Sequence, residues 1–338
     1  MSVYISIACL DIDQELIKTI KSAKDNSSNP DSITISVALI GNKKFFDYVK
    51  KETSMYSKII LEYYDFDKNF GVGMSRWLAA SKHTNEKYFL QVDAHTFFAQ
   101  NWNTFLIKKI NDVRKKIKKE KIILSALPGA YLYYDKNGNK NFQYTGDTSY
   151  PQYIKDEFLM ELEKPIEINK LYYNKIIPRF KDMSYEYISE KLDKNLYKEF
   201  KKNDFGPLHK ISAAFIFTDS FHFGNTFVEK DAYFWEEEIT QSINLVDEGY
   251  TLVYAGKNIP VMHFYIQYIF NGEGNRMSLS KLMENEMDFY RNKIINNWIS
   301  YFSNEDNHSK IKNYEGYANL SILNGPKQEW FLPEDYSG

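Results

Sequence analysis

A carboxylate and an imidazole two residues apart, Asp93 and His95, follow directly on the short run Tyr88 to Val92, which is apolar apart from Gln91. In an open α/β sheet, ligands bind where a buried strand ends. Side chains at i and i+2 of an extended segment point to the same side, so Asp93 and His95 are expected to grip one ion. A carboxylate with an imidazole suits Mn²⁺ or a similar divalent cation better than a purely oxygen site does. A bare Asp-x-His triplet also arises by chance, as a strand cap and the start of a turn. The flanking elements strengthen the ion-binding reading.

Upstream, Lys58 to Phe66 reads as a strand, and Gly71 and Gly73 supply a turn into a helix carrying Met74, Trp77, Leu78 and Ser81 on one face. Arg76 lies within its first turns. A guanidinium there is suited to hold a diphosphate or a base edge with its planar fork; a solvated surface arginine is the plainer alternative. Before these come a strand at Val3 to Leu10, a helix at Glu15 to Lys24, a strand at Ser32 to Ile40 and a short helix at Phe45 to Lys51. After the Asp93 strand, Asn101 is placed to cap a helix through Trp102, Phe105, Leu106 and Ile110, with Trp102 expected in the core. This alternation predicts an α/β fold, a Rossmann-like, mostly parallel sheet flanked by helices.

The character changes at Leu132. DKNGNK is a turn signal, and Asn141 to Leu208 is rich in Tyr, Lys and Glu with weak periodicity. It is read as an insertion packed beside the ligand-binding strand ends, where specificity is expected to reside. Strand character returns at Ser212 to Phe217. Asp231 is placed to cap a helix through Trp235, Ile239, Ile243 and Val246, which Gly249 closes. Three acids in its first turns, Glu236, Glu237 and Glu238, favour the helix dipole. Strands at Thr251 to Ala255 and Ile259 to Tyr265 follow, with His263 in the second. The loop Asn271 to Met277 offers two hinge glycines and Arg276 as a candidate phosphate contact, a segment suited to closing over a donor. Leu282 to Tyr301 reads as a helical extension. The expected division is 1–131, the nucleotide-sugar half; 132–211, the insertion; 212–268, the part that completes the site; and 269–338, lid loop and C-terminal extension.

G-x-x-x-x-R, a helix, an apolar strand ending in Asp-x-His and a Trp beyond it together resemble the metal-binding core of GT-A glycosyltransferases of the Asp-x-His type. The resemblance is to the cytoplasmic hydroxyproline GlcNAc-transferase family and, more distantly, to the polypeptide GalNAc-transferases. Gly71, Arg76, Asp93, His95 and Trp102 carry it, with Ile123 to Tyr131 similar to the strand and Pro-Gly turn that follow. It extends over Val3 to Tyr131 and Ser212 to Tyr265. It implies that His263 completes the metal site with Asp93 and His95, although a lone strand histidine is more often a core residue. It implies active-site work for Glu237 or Glu238, ahead of Ile239. It also implies that an aspartate after the first strand reaches the uridine or ribose, although such a residue also serves as a helix N-cap. Here the chain departs from the family pattern, with Ile12 where an arginine falls, so Asp11 and Asp13 both stand as candidates. The implied activity is retaining, metal-dependent transfer of GlcNAc or a related hexose from a UDP-sugar to a hydroxyl of a protein or glycan. Arg76 and Arg276 would share the diphosphate charge.

Composition sets bounds on partners and setting. With 43 Lys plus Arg against 45 Asp plus Glu, the formal charge of −2 gives no footing for a strongly electrostatic nucleic-acid or membrane partner. Glycosylation of DNA or a polysaccharide stays open. One cysteine, Cys9, permits no internal disulfide and suits a reducing compartment. No secretory signal or membrane-spanning run is evident, so a cytoplasmic setting is expected. Two rivals use the same residue types: a metal-dependent hydrolase, and a non-catalytic carbohydrate-binding protein on the same fold.

Overall fold

The computed structural model of the chain describes residues 1–10, 13, 15–67, 69–136, 139–144, 205–208, 210–219, 228, 230–233, 236–256, 259–263 and 287–318. Asp11, Arg276, the Asn271 to Met277 loop and most of the Asn141 to Leu208 segment lie outside the described residues.

The centre is an eight-stranded sheet in the order β3-β2-β1-β4-β10-β6-β11-β9. β1 (Val3–Leu10) and β2 (Ile33–Ile40) are runs of β-branched and small apolar residues. Both faces of such strands must be covered, and β2 is buried along its whole length. β1 pairs in parallel with β2 on one side and with β4 (Tyr88–Asp93) on the other, and β2 pairs in parallel with β3 (Ile59–Tyr64). β3, at the edge, is half-buried throughout.

Helices α1 (Leu16–Asp25), α2 (Lys43–Glu52) and α3 (Val72–Ala80) supply the crossovers. Asn42 caps α2, its side chain accepting from the Phe45 amide at 2.9 Å. The pairing continues through β10 (Phe215–Asp219), antiparallel to both β4 and β6 (Ile122–Ser125); β11 (Thr251–Tyr254) is parallel to β6, and β9 (Gly206–Pro207) closes the far edge. The mostly parallel, helix-flanked α/β architecture is therefore the one the sequence predicts, with antiparallel strands in its second half.

A smaller sheet, β5-β12-β7-β8, joins β5 (Thr96–Phe98), β12 (Val261–His263) and the hairpin of β7 (Gly129–Lys136) and β8 (Asn139–Tyr144). The Pro-Gly segment thus separates β6 and β7, which belong to different sheets. β7 and β8 flank the centre of DKNGNK, with Lys136 opposite Asn139; residues 137–138 lie outside the described residues.

Two local expectations change. Asn101 does not cap α4 (Trp102–Ile117) with its side chain; it adopts a left-handed backbone (φ 59°) and its amide donates to Asn26 O at 2.6 Å. The turn entering α4 is tied instead to the end of α1 through this backbone bond. Asp231 lies five positions before α5 (Glu236–Asp247) and so does not cap it. Gly249 does follow α5 with φ +83°, as a helix-ending glycine should. The C-terminal extension forms α6 (Met287–Ser303) and α7 (Glu305–Ala318); Tyr301 of α6 donates to Asn244 of α5 at 3.1 Å. Trp102 is fully buried, its ring 4.8 Å from that of Phe98 and its Nε1 donating to Ala23 O at 2.9 Å.

Candidate active site

β4 ends at Asp93, in register with Ala8 of β1, so the carboxylate emerges at the C-terminal edge of the parallel strands. The chain does not continue extended to His95, as the i, i+2 reading expected; residues 94 and 95 form a turn into β5. The turn is held by hydrogen bonds. Thr96 Oγ1 donates to Asp93 O at 2.8 Å, Thr19 Oγ1 of α1 donates to Ala94 O at 2.7 Å, and Thr96 N donates back to Thr19 Oγ1 at 2.9 Å. His95 therefore meets Asp93 through a tight turn anchored on α1. β12 then runs antiparallel to β5 with His263 opposite Thr96, which sets His263 beside His95 across 168 positions of sequence.

The three side chains converge. His263 Nε2 lies 3.0 Å from Asp93 Oδ2, His95 Nε2 lies 3.9 Å from the same oxygen, and the imidazole rings meet edge to face with centroids 4.4 Å apart. One ligand atom from each of Asp93, His95 and His263 falls within 4.8 Å of the others. A single ion with bonds of ~2.0–2.6 Å can span such a set after small side-chain adjustments.

Arg76 is no surface arginine. Its side chain is 6 % exposed; Nη2 donates to Asp93 Oδ1 at 2.9 Å and Nε pairs with Glu237 Oε2 at 3.0 Å. Burial works against the charged guanidinium, yet Glu237 and then Asp93 hold its pKa above the ordinary value. Burial would likewise raise the Asp93 carboxyl, but the Arg76 charge and the His263 contact keep it well below the usual carboxylate range. Arg76 Nη1 is buried with no hydrogen-bond partner among the described residues, a donor available to an anion beside the cluster.

The helix that carries Arg76 is set by a close backbone approach. A Cβ on Gly71 would stand 2.4 Å from Tyr233 Cα and 2.6 Å from Ala232 O. That contact lets Val72 N donate to Tyr233 O at 2.9 Å and Gly73 N to Ala232 O at 3.0 Å. Gly71 thus serves approach rather than an unusual dihedral, its φ being −85°. Gly73 lies inside α3 rather than in the preceding turn. Residues 232 and 233 precede α5, so the same docking brings Glu237 to Arg76.

Glu237 and Glu238 part company. Glu237 is buried against Arg76. Glu238 accepts from Ala213 N at 2.9 Å through Oε1 and pairs through Oε2 with Lys210, which is itself buried. Sequence reasoning missed Lys210, since a lysine 28 positions from its partner follows no local pattern. Asp13 is buried, with Oδ2 2.9 Å from His95 Nδ1 and Oδ1 accepting from Glu15 N at 3.1 Å. The structure thus joins Asp13, Arg76, Asp93, His95, His263 and Glu237 in one network, with Glu238 adjoining in sequence.

Chemically, a carboxylate and two imidazoles are a fitting donor set for Mn²⁺ or a similar ion. The buried guanidinium beside them is a fitting partner for phosphate oxygens. Among the described residues no helix is long and apolar enough to cross a membrane.

The family model described as glycosyltransferase (GlcNAc) matches residues 42–268, two thirds of the chain. No curated protein matches the chain. Among solved structures, the crystal structure of GalNAc-T7 with UDP, GalNAc and Mn²⁺ aligns with a TM-score of 0.44 at 13 % identity, over 98 % of this chain and 57 % of that one. The chain thus spans little more than half the length of that protein.

Proposed function

The chain belongs to the glycosyltransferase (GlcNAc) family, and on that premise we propose that it moves a sugar, GlcNAc or a related hexose, from a UDP-sugar to a hydroxyl of a protein or glycan. The transfer is metal-dependent and retaining. The observation that most supports this reading is the convergence of Asp93, His95 and His263 beside the buried Arg76.

In this reading Asp93, His95 and His263 hold a divalent cation, Mn²⁺ or a close substitute. Such an ion supplies electrostatic neutralisation of the diphosphate as UDP departs. Arg76 offers its unpartnered Nη1 to a phosphate oxygen while its other nitrogens stay on Asp93 and Glu237. Arg276, on the proposed lid loop, adds a second positive charge. Asp11 and Asp13 are the carboxylates proposed near the nucleoside; both oxygens of Asp13 are already engaged, by Glu15 N and His95 Nδ1. Glu237 and Glu238 orient hydroxyl groups of the sugar or acceptor, Glu238 being the more exposed of the two. Front-face attack by the acceptor hydroxyl needs no strong enzymic base. The 132–211 segment reads the acceptor, and a cytoplasmic setting accords with the single buried cysteine.

The test is UDP release from a panel of UDP-sugars with Mn²⁺, repeated in EDTA. Metal-dependent release supports the transferase. Hydrolysis of an unrelated ester without UDP-sugar turnover supports a hydrolase, and sugar binding without either supports a carbohydrate-binding protein.

A further inference from the structure

We infer that Asp13 is a positioning residue of the metal site, its carboxylate fixing the tautomer and ring orientation of His95 so that Nε2 is presented to the ion. This rests on the proposed metal role of Asp93, His95 and His263 and assigns Asp13 a duty other than reading the nucleoside.

The geometry carries it. An ionised carboxylate only accepts hydrogen bonds, so the 2.9 Å contact between Asp13 Oδ2 and His95 Nδ1 places the ring proton on Nδ1. In the neutral ring, the form that ligates a metal, the lone pair is then on Nε2. That atom stands 3.9 Å from Asp93 Oδ2, beyond hydrogen-bond range and suited to two donor atoms sharing an ion. His263, by contrast, is drawn to 3.0 Å from Asp93 Oδ2. A metal-bound histidine commonly donates its other ring nitrogen to a carboxylate, which fixes the tautomer and raises ligand basicity.

Asp13 is itself held in place. Its side chain is 8 % exposed, Oδ1 accepts from Glu15 N at 3.1 Å, and its carbonyl accepts from Leu16 N at 3.0 Å at the start of α1. One turn later, Thr19 of the same helix ties down the 94–96 turn that carries His95. α1 therefore positions both the backbone and the ring of one ligand. A carboxylate so placed, with both oxygens occupied, is poorly disposed to turn toward a ribose.

The experiment is a titration of Mn²⁺ alone, followed by the EPR signal of the free ion, on the parent, Asp13→Asn and Asp13→Ala. UDP affinity in EDTA and the His95 tautomer by ¹⁵N NMR are measured alongside. In Asp13→Asn the single amide oxygen serves either Glu15 N or His95 Nδ1; serving Glu15 turns the NH₂ toward the ring and favours the wrong tautomer. Loss of such a partner typically weakens metal binding about 10–100-fold, and that is the expected result, with metal-free UDP affinity unchanged.

Equal Mn²⁺ affinity in a folded variant and the parent overturns the inference and leaves the metal site standing. A parent that binds no Mn²⁺ overturns the metal reading and this inference with it. A fall in metal-free UDP affinity in a folded variant makes Asp13 a nucleoside contact and overturns the inference whichever way the titration goes. If neither variant folds, the parent decides: an Nε2-protonated His95 in the metal-free protein overturns the inference, and an Nδ1-protonated ring supports it.

Discussion

Replacing Arg76 with methionine removes the cation from between two carboxylates while keeping an unbranched side chain in its channel. Arg76 stands 2.9 Å from Asp93 and 3.0 Å from Glu237, and its side chain is 6 % exposed. Breaking a buried pair by removing one partner costs ~3–5 kcal/mol, because the other charge stays buried without compensation. Glu237 is as buried as Arg76, but the Asp93 side chain is 23 % exposed and water screens it in part, which favours the lower end, ~3 kcal/mol. At ~2 °C per kcal/mol for a protein of this size, the melting temperature in EDTA should fall by ~6 °C. Mn²⁺ changes the comparison. At a hundredfold excess over its Kd, a ligand adds ~2.7 kcal/mol to a protein that binds it only when folded. The variant should gain more than the parent, since the ion supplies to Asp93 the positive charge that Arg76 no longer provides. Calorimetry of both proteins, with EDTA and with saturating Mn²⁺, should show the melting gap narrowing when metal is added. An unchanged gap would show that the Asp93–Arg76 pair and the metal site are energetically independent. No gap in EDTA would show that the buried pairs contribute nothing to stability.

Gly71→Ala should destabilise by roughly 2–4 kcal/mol, because the new Cβ forces Tyr233 away and breaks two backbone hydrogen bonds of ~1 kcal/mol each; a melt like the parent's would mean that the two segments part without strain. Glu237→Gln and Glu238→Gln should each lower kcat and kcat/KM together while UDP binding persists. Losing a hydrogen bond to a charged group is worth ~1.5–3 kcal/mol, or roughly 10–100-fold in rate; parent-like turnover in both would confine these glutamates to a structural role. The lowered pKa of Asp93 gives an acid dependence: the group contributes its stability in full above the unfolded value of ~3.9 and loses it as pH falls through the lower folded value. Below about pH 4 the parent's melting temperature should therefore fall more steeply than that of Asp93→Asn, and parallel acid profiles would contradict the assignment.

Much of the framework was legible in the chain. Val3–Leu10 and Ile33–Ile40 are strands because β-branched runs without helical period suit a doubly covered parallel sheet, and that preference is local. The strand end at Asp93 was marked by an abrupt change from apolar to polar residues. Residue types and resemblance also singled out Asp93, His95, His263, Arg76 and Glu237, which the fold brings together. What the sequence could not supply were the relations between distant segments. That Arg76 is buried rather than solvated depends on α5 arriving from 161 positions away to place Glu237 against it. Asp13 turns toward His95 across 82 positions, and Lys210 reaches Glu238 across 28. Gly71 owes its role to the backbone at Ala232 and Tyr233, which no turn signal around residue 71 could announce. A strand or helix is written in its own few residues because hydrophobic period and backbone sterics act over that range. The pKa of a carboxylate, and the partners a buried guanidinium meets, are set by burial and by whichever groups packing brings within a few ångströms, and only the tertiary structure decides which those are.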